Sequence, residues 1–429
     1  MTTRTIKVDY LARVEGEGAL KLSIRNGKVE EAKLSIFEAP RFYEAFLRDR
    51  NASEAPDITA RICGICPVAY QLSAVAAVEN AASVVIPQPL RDLRRLLMCG
   101  EWISSHVLHI IMLHAPDFLN YPDAMEMARD HGDIVRRGLE LKKVGNAIMS
   151  LIGGREIHPV NVRVGGFYRV PTRKKLDSLT ERLMWACDAA EETVRWTADL
   201  PFPDYSRSYE YVALQTAAGY PLEPGTLQTS SGLSLNPESY EENFTEEQKS
   251  HSTALYSKTA AGQTYFVGPM ARFALNRNRL NPRAAAVTQQ TGLHAGCDNP
   301  FQSIIVRSIE VLHACEEALS IIRTYERPDL PFEKVEVQNT TGFGIIEAPR
   351  GLLYQRYKIG ENGVIEDVKI VPPTAQNQAI IEEDLKDVAT RSQHLSDSDL
   401  QWRCEQTIRN YDPCISCATH FLTLDIDRQ

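Results

Sequence analysis

Two Cys-x-x-Cys pairs stand at opposite ends of this chain, and its fold must either bring them together or leave them idle. The first lies in Arg61-Ile62-Cys63-Gly64-Ile65-Cys66-Pro67. The second lies in Asp412-Pro413-Cys414-Ile415-Ser416-Cys417, with His420 close behind. Four thiolates in two matched pairs are what a tetrahedral soft-metal site requires. Because 348 positions separate Cys66 from Cys414, everything between them reads as the scaffold that closes the site. The bland alternative is a structural zinc held by four cysteines, but such sites usually hold their pairs about 15 to 20 residues apart in small modules. A dithiol redox motif is weaker still, since neither pair sits at a recognisable thioredoxin-like strand-to-helix turn.

Composition narrows the partners. At 429 residues, with 43% hydrophobic and 24% charged residues, the chain is long and apolar enough to fold without a metal staple. A net charge of −9 argues against nucleic acid, which wants a basic surface. No run approaches the roughly 18 to 20 uncharged residues of a membrane span. The start, Met1-Thr2-Thr3-Arg4, leads into strand-like sequence with no apolar secretory segment. Nine cysteines without small-domain spacing fit a reducing cytoplasm. Five of them, Cys99, Cys187, Cys297, Cys315 and Cys404, read as small buried apolar residues.

Taken in order, the chain opens as antiparallel β. Leu20, Leu22 and Ile24 alternate with polar residues up to Asn26-Gly27, a favoured hairpin turn, and Ala32, Leu34 and Ile36 continue beyond it. From Pro67 the pattern turns helical, which places Cys66 at a helix N-terminus where the dipole favours a thiolate. A second helix carries Ile103, Val107, Ile110 and His114 and stops at Pro116-Asp117. Long helices follow over about 123–150 and 173–199, separated by a Gly-rich loop. Residues 201–300 show weak periodicity and read as peripheral. Helix returns at Ile305. A second hairpin, Leu352 to Ile359 and Val364 to Val371, turns at Asn362-Gly363. The last helices, about 377–392 and 397–410, deliver the second cysteine pair. This is an α+β chain, mainly α, read as one compact domain. Its parts are a β-rich 1–60, long helices over 61–200, the peripheral 201–300, and helices, hairpin and metal motif over 301–420. Glu15, Glu38, Arg61, Arg350 and Asp412 all adjoin Gly or Pro punctuation, where functional side chains tend to sit. His106, His109 and His114 read as packing or hydrogen-bonding histidines rather than ligands.

Along nearly its whole length the chain resembles the large subunit of nickel–iron hydrogenases, and most of all the cytoplasmic, bidirectional, NAD(P)-linked or sulfhydrogenase class. The resemblance is carried by Arg13-Val14-Glu15-Gly16, Glu38 to Glu44, Arg61 to Cys66, His106 to Asp117, Gly153 to Gly166, Glu347 to Gly351, Pro373 to Asn377 and Asp412 to His420, in the family's order. It implies a central bundle of long helices and reversible cleavage of H2 at a nickel–iron centre with carbon monoxide and two cyanides on iron. Cys63 and Cys414 would then be terminal nickel ligands, and Cys66 and Cys417 would bridge the metals. Four thiolates and two cyanides outweigh two divalent metals by two negative charges, and Arg350 matches the arginine that compensates them. Asp117 and Asp412 match the carboxylates that hold this arginine. Thr374, after Pro373, matches the residue that hydrogen-bonds cyanide, and Glu15 the proton acceptor. Glu38, the carbonyl of Ile370 and His420 match the ligands of a magnesium ion.

Tyr70 departs from the resemblance, standing where the family usually has histidine. Residues 421–429 read as a tail removed by a maturation endopeptidase. Electrons would leave through an iron–sulfur small subunit, with a flavin and NAD(P) diaphorase module beyond it. Reduction of sulfur or polysulfide by the same complex is the neighbouring alternative. A non-catalytic scaffold like the quinone-site subunit of respiratory complex I would lack the four cysteines.

Overall fold

A computed structural model describes residues 3–217, 219–294 and 296–419; His420 and the expected tail lie outside them. Strands β1 (Thr3–Val8), β2 (Gly18–Arg25) and β3 (Lys28–Ile36) form an antiparallel sheet in that order. Leu20, Leu22 and Ile24 point to the core at period two. Asn26 and Gly27 both take positive φ (50° and 73°), the conformation of a type I′ turn.

Helix α1 (Pro67–Ala81) starts with Pro67 at its first position and Cys66 as its cap residue, as the sequence predicts. Helix α2 (Gln88–Val107) runs on through a π-helical turn, Leu108–His114, to Phe118. Among the described residues, only the stretch Gln88–Phe118 is long and apolar enough to cross a membrane, and 83% of its apolar window is buried within the fold. It is the central core helix, packed on α3 (Gly132–Gly153) and on the long helix that begins at Ser303.

The stretches expected as single helices over 123–150 and 173–199 are each two. Residue His131, with φ −124°, separates Ala124–Asp130 from α3. A short helix, Arg173–Asp177, precedes α4 (Thr180–Ala198). The expectation that 201–300 is peripheral fails for α5 (Pro269–Asn276). Its Met270, Ala271, Arg272 and Phe273 are buried, and the helix packs against the short strand Val212–Gln215 and α6 (Ser303–Thr324).

The second sheet has three strands rather than two: β4 (Thr340–Ala348), β5 (Gly351–Ile359) and β6 (Ile365–Val371). Gly342 and Gly344 hid β4 from the alternation rule. They are needed because α1 lies directly on this strand: a Cβ would come within 2.0 Å of Ala77 O at Gly342 and 2.1 Å of Ser73 O at Gly344. Helices α7 (Pro373–Arg391) and α8 (Asp397–Arg409) then return the chain to the N-terminal sheet. A single apolar cluster reaches from Ile6 to Cys417, with the first and last elements packed in one core.

Candidate metal centre

Two chain ends make the centre. Cys63 and Cys66 occupy the loop that enters α1, where the amides of Ile65 (3.2 Å) and Cys66 (3.4 Å) donate to Cys63 Sγ. Cys414 and Cys417 belong to the single turn Ile415–Ala418 and its cap. That turn is anchored to the N-terminal segment by a parallel bridge between Glu15 and Cys414, in which Ile415 N donates to Glu15 O at 2.9 Å. It is anchored to α7 by Cys414 N, which donates to Thr374 Oγ1 at 3.0 Å. The sulfurs of Cys63 and Cys414 are 3.5 Å apart and those of Cys66 and Cys417 3.6 Å. All four ligand atoms lie within 4.8 Å of one another, and every one of these residues is buried.

Hydrogen bonds from Cys414, Cys417 and Cys66 hold Cys63 well below the usual thiol range, whereas burial pushes Cys414 up. Full ionisation of the set therefore needs a metal, and metal loading releases protons. The two cross-motif separations alone also suit one tetrahedral zinc, whose bonds of about 2.3 Å to sulfur give similar distances, whereas Cys414 and Cys417 stand closer, at 2.7 Å. The surroundings discriminate.

Arg350 is buried beside the sulfurs. Its Nε donates to Asp412 O (2.7 Å) and its Nη2 to Asp412 Oδ1 (3.0 Å), while Nη1 lies 3.4 Å from Ser105 Oγ on α2. Burial works against the guanidinium charge, but Asp412 and the cysteine sulfurs outweigh it and push Arg350 up. Glu15 also borders the cluster. Its carboxylate accepts Ser416 N at 3.1 Å and the Ser416 hydroxyl, and burial followed by repulsion from Cys63 raises its pKa. A structural zinc on four thiolates would carry the same two net negative charges for Arg350 to offset, but it has no use for a proton-transferring carboxyl, so Glu15 is the residue that separates the two readings.

Comparison with known proteins agrees with this geometry. The family description "nickel-dependent hydrogenase" matches residues 41–135 and 228–420. The chain belongs to the nickel-dependent hydrogenases. The alpha subunits of sulfhydrogenases 2 and 1 of Pyrococcus furiosus are 32% and 31% identical to it. The first alignment covers 98% of this chain and 100% of the relative, the second 98% of each. A solved NAD+-reducing nickel–iron hydrogenase in its H2-reduced state superposes with a TM-score of 0.88 at 26% identity, over 97% of this chain and 99% of that one. The hydrogenase is accordingly a catalytic large subunit and an oxidoreductase. Its cluster of soft thiolates is the donor set that suits nickel and iron.

Within the hydrogenase, one expected contact is absent. Asp117 does not reach Arg350. Its two oxygens are taken by Arg409 (2.7 and 2.8 Å) and Arg13 (2.6 Å), so it ties the N-terminal segment to α8. Ser105 stands on the free side of Arg350 instead. Four residues before Ser105, and so on the same helix face, is a residue the sequence reading missed. Glu101 is fully buried and accepts the amides of Val68 (2.6 Å) and Ala69 (3.1 Å), clamping the start of α1 directly behind Cys66. Burial pushes its carboxyl up to about 8.

Pro373 opens α7, and Thr374 keeps its own hydroxyl proton for a further acceptor while receiving Cys414 N. Glu38 lies against the Glu17 amide (3.3 Å). Ile370 is buried, and its amide is held by Glu44 (2.7 Å), a carboxyl that burial pushes up to about 7. Tyr70, one turn after Cys66, is buried with no partner for its hydroxyl among the described residues. The three histidines behave as packing residues: His106 pairs with Glu310 (2.9 Å), His109 with Arg409 O (2.8 Å) and His114 with Asn410 (3.0 Å).

Proposed function

We propose that this subunit cleaves H2 heterolytically and reversibly at a nickel–iron centre held by Cys63, Cys66, Cys414 and Cys417, with carbon monoxide and two cyanides on iron. The observation that carries the reading is the convergence, on four buried sulfurs, of a fixed cation, Arg350, and a carboxyl of raised pKa, Glu15. When bound, the metal pair supplies the electrophilic site that polarises H2 and takes up its electrons. Following the family resemblance, Cys63 and Cys414 would serve as terminal nickel ligands and Cys66 and Cys417 as the ligands shared with iron, all four sulfurs lying within 4.8 Å of one another. Arg350 holds a charge that cannot be lost where net negative charge is buried. Thr374, whose hydroxyl receives Cys414 N and keeps its own proton, would hydrogen-bond a cyanide, with Pro373 fixing the start of the helix that carries it.

Glu15 accepts the proton on the Cys414 side and passes it outward, a role that suits a carboxyl moved toward neutrality by burial. Enclosure of the whole set keeps bulk water away from the cysteines. Glu38 and the Ile370 carbonyl are assigned to a magnesium ion, with His420, outside the described residues, as its third protein ligand.

The chain has no other grouped cysteines, so electrons leave to an iron–sulfur small subunit. The sulfhydrogenase and NAD+-reducing relatives favour a flavin and NAD(P) module beyond it. All nine cysteines are free, which suits a cytoplasmic location. A maturation endopeptidase acting on 421–429 belongs to the same reading. The test is H2-driven reduction by the purified complex, offered NAD(P)+, polysulfide or a viologen dye in turn. NAD(P)H formation is expected. Dye or polysulfide reduction without NAD(P)H would overturn the nicotinamide assignment, and no H2 consumption by nickel-loaded complex would overturn the reading itself.

A further inference from the structure

The turn that presents Arg350 is gripped from behind by a buried network that takes no part in the chemistry above. Arg272, on α5, is fully buried and uses every one of its N–H groups. Nε and Nη2 reach the two oxygens of Glu310 (2.8 and 2.7 Å), and Nη1 reaches Glu347 (2.9 Å). The remaining bonds go to main chain: Nη1 to Ala348 O at 2.9 Å and Nη2 to Pro349 O at 2.8 Å. These are the two carbonyls immediately before Arg350.

The partners of Arg272 are themselves fixed. Glu347 accepts Leu214 N (2.8 Å), Glu310 accepts the Tyr220 hydroxyl (2.7 Å), and the Trp102 ring covers the guanidinium at 4.3 Å. Gly268, one turn earlier at φ 116°, backs onto the Arg350 carbonyl, and a Cβ there would lie 2.6 Å from that oxygen. Three successive carbonyls, at 348, 349 and 350, are thus constrained by one short helix start. On the far side of the turn, the Arg350 guanidinium meets Asp412 at 2.7 and 3.0 Å.

We infer that Arg272, with Gly268 behind it, is a positioning residue for Arg350, setting through the carbonyls of Ala348 and Pro349 the place from which that guanidinium reaches the cysteines. The inference rests on the reading that Arg350 serves H2 cleavage. Lysine cannot replace Arg272, because an ammonium has three donors at one point and no planar fork to span two carboxylates and two carbonyls. A displacement of about 1 Å at a reacting centre costs on the order of 100-fold in rate.

The test uses the intact complex. Arg272→Lys is expected to lower H2 turnover about 100-fold with nickel content unchanged. In an Arg350→Lys background the same change should add almost nothing, since the group it positions is gone. A crystal structure of metal-free R272K should show the Arg350 guanidinium withdrawn from Asp412. Additive losses in the double variant, or an undisturbed Arg350 in that structure, would overturn the inference. If Arg350→Lys alone leaves turnover intact, the chemical reading of Arg350 fails, and the crystal structure still decides whether Arg272 positions it. Should R272K not fold, Gly268→Ala presses on the same turn and must displace Arg350 likewise; an unmoved guanidinium in that variant counts against the inference.

Discussion

Glu15→Gln should lower H2-driven dye reduction by about 100- to 10,000-fold, the range for losing a positioned proton-transfer group. The substitution keeps the shape of the side chain and an oxygen for the Ser416 hydroxyl. It gives up one contact, Ser416 N to the second carboxylate oxygen at 3.1 Å, so the stability cost should be about 1 kcal/mol. Nickel content should match that of the unaltered subunit. Glu15→Asp retains the carboxylate one methylene short of its place and should recover part of the rate. Full activity in Glu15→Gln would move the proton path to another carboxyl, with Glu101 the buried acid that clamps the first cysteine loop. The readout is turnover at fixed metal content, alongside a thermal melt.

Arg350→Lys is expected to cost about 100- to 1,000-fold in turnover, the scale for removing one preorganised donor from a water-excluded site. Lysine keeps the charge but cannot hold both the carbonyl and the carboxylate of Asp412, so the cation sits loosely over the sulfurs. Arg350→Met is a different experiment. It strands the buried Asp412 carboxylate, one of whose oxygens already lacks a partner among the described residues. Breaking a buried pair in this way should destabilise the fold by about 3 to 5 kcal/mol. Denaturant melts of the two variants separate the effects: a large loss of rate with a small loss of stability in the first, and large losses of both in the second.

The residues of this site that were legible in the sequence are those fixed by short local patterns. Cys-x-x-Cys before a helix-starting proline, Glu15 beside Gly16 and Arg350 between Pro349 and Gly351 each announce themselves within a few positions. What stayed hidden lies in helices that are buried on most faces. Glu101 and Arg272 look like ordinary surface charges in sequence, because nothing local says that a distant helix N-terminus or a distant turn needs them. Asp117 misled for a related reason. Its place beside Arg350 is what the family resemblance implies, and nothing local shows that the π-helical turn Leu108–His114 changes the phase of the helix before Asp117 is reached. That leaves Ser105 facing Arg350 and Asp117 facing Arg13 and Arg409. The third strand of the second sheet was missed because glycines required by contact with α1 replace the residues that would have shown alternation.

The most direct test of the central claim is an infrared spectrum of the purified, metal-loaded subunit in the stretching region of metal-bound carbon monoxide and cyanide, recorded before and after exposure to H2. A nickel–iron centre on Cys63, Cys66, Cys414 and Cys417 predicts one carbonyl band and two cyanide bands that shift under H2. A spectrum with no such bands, from protein in which metal analysis finds only zinc on the four cysteines, would contradict it.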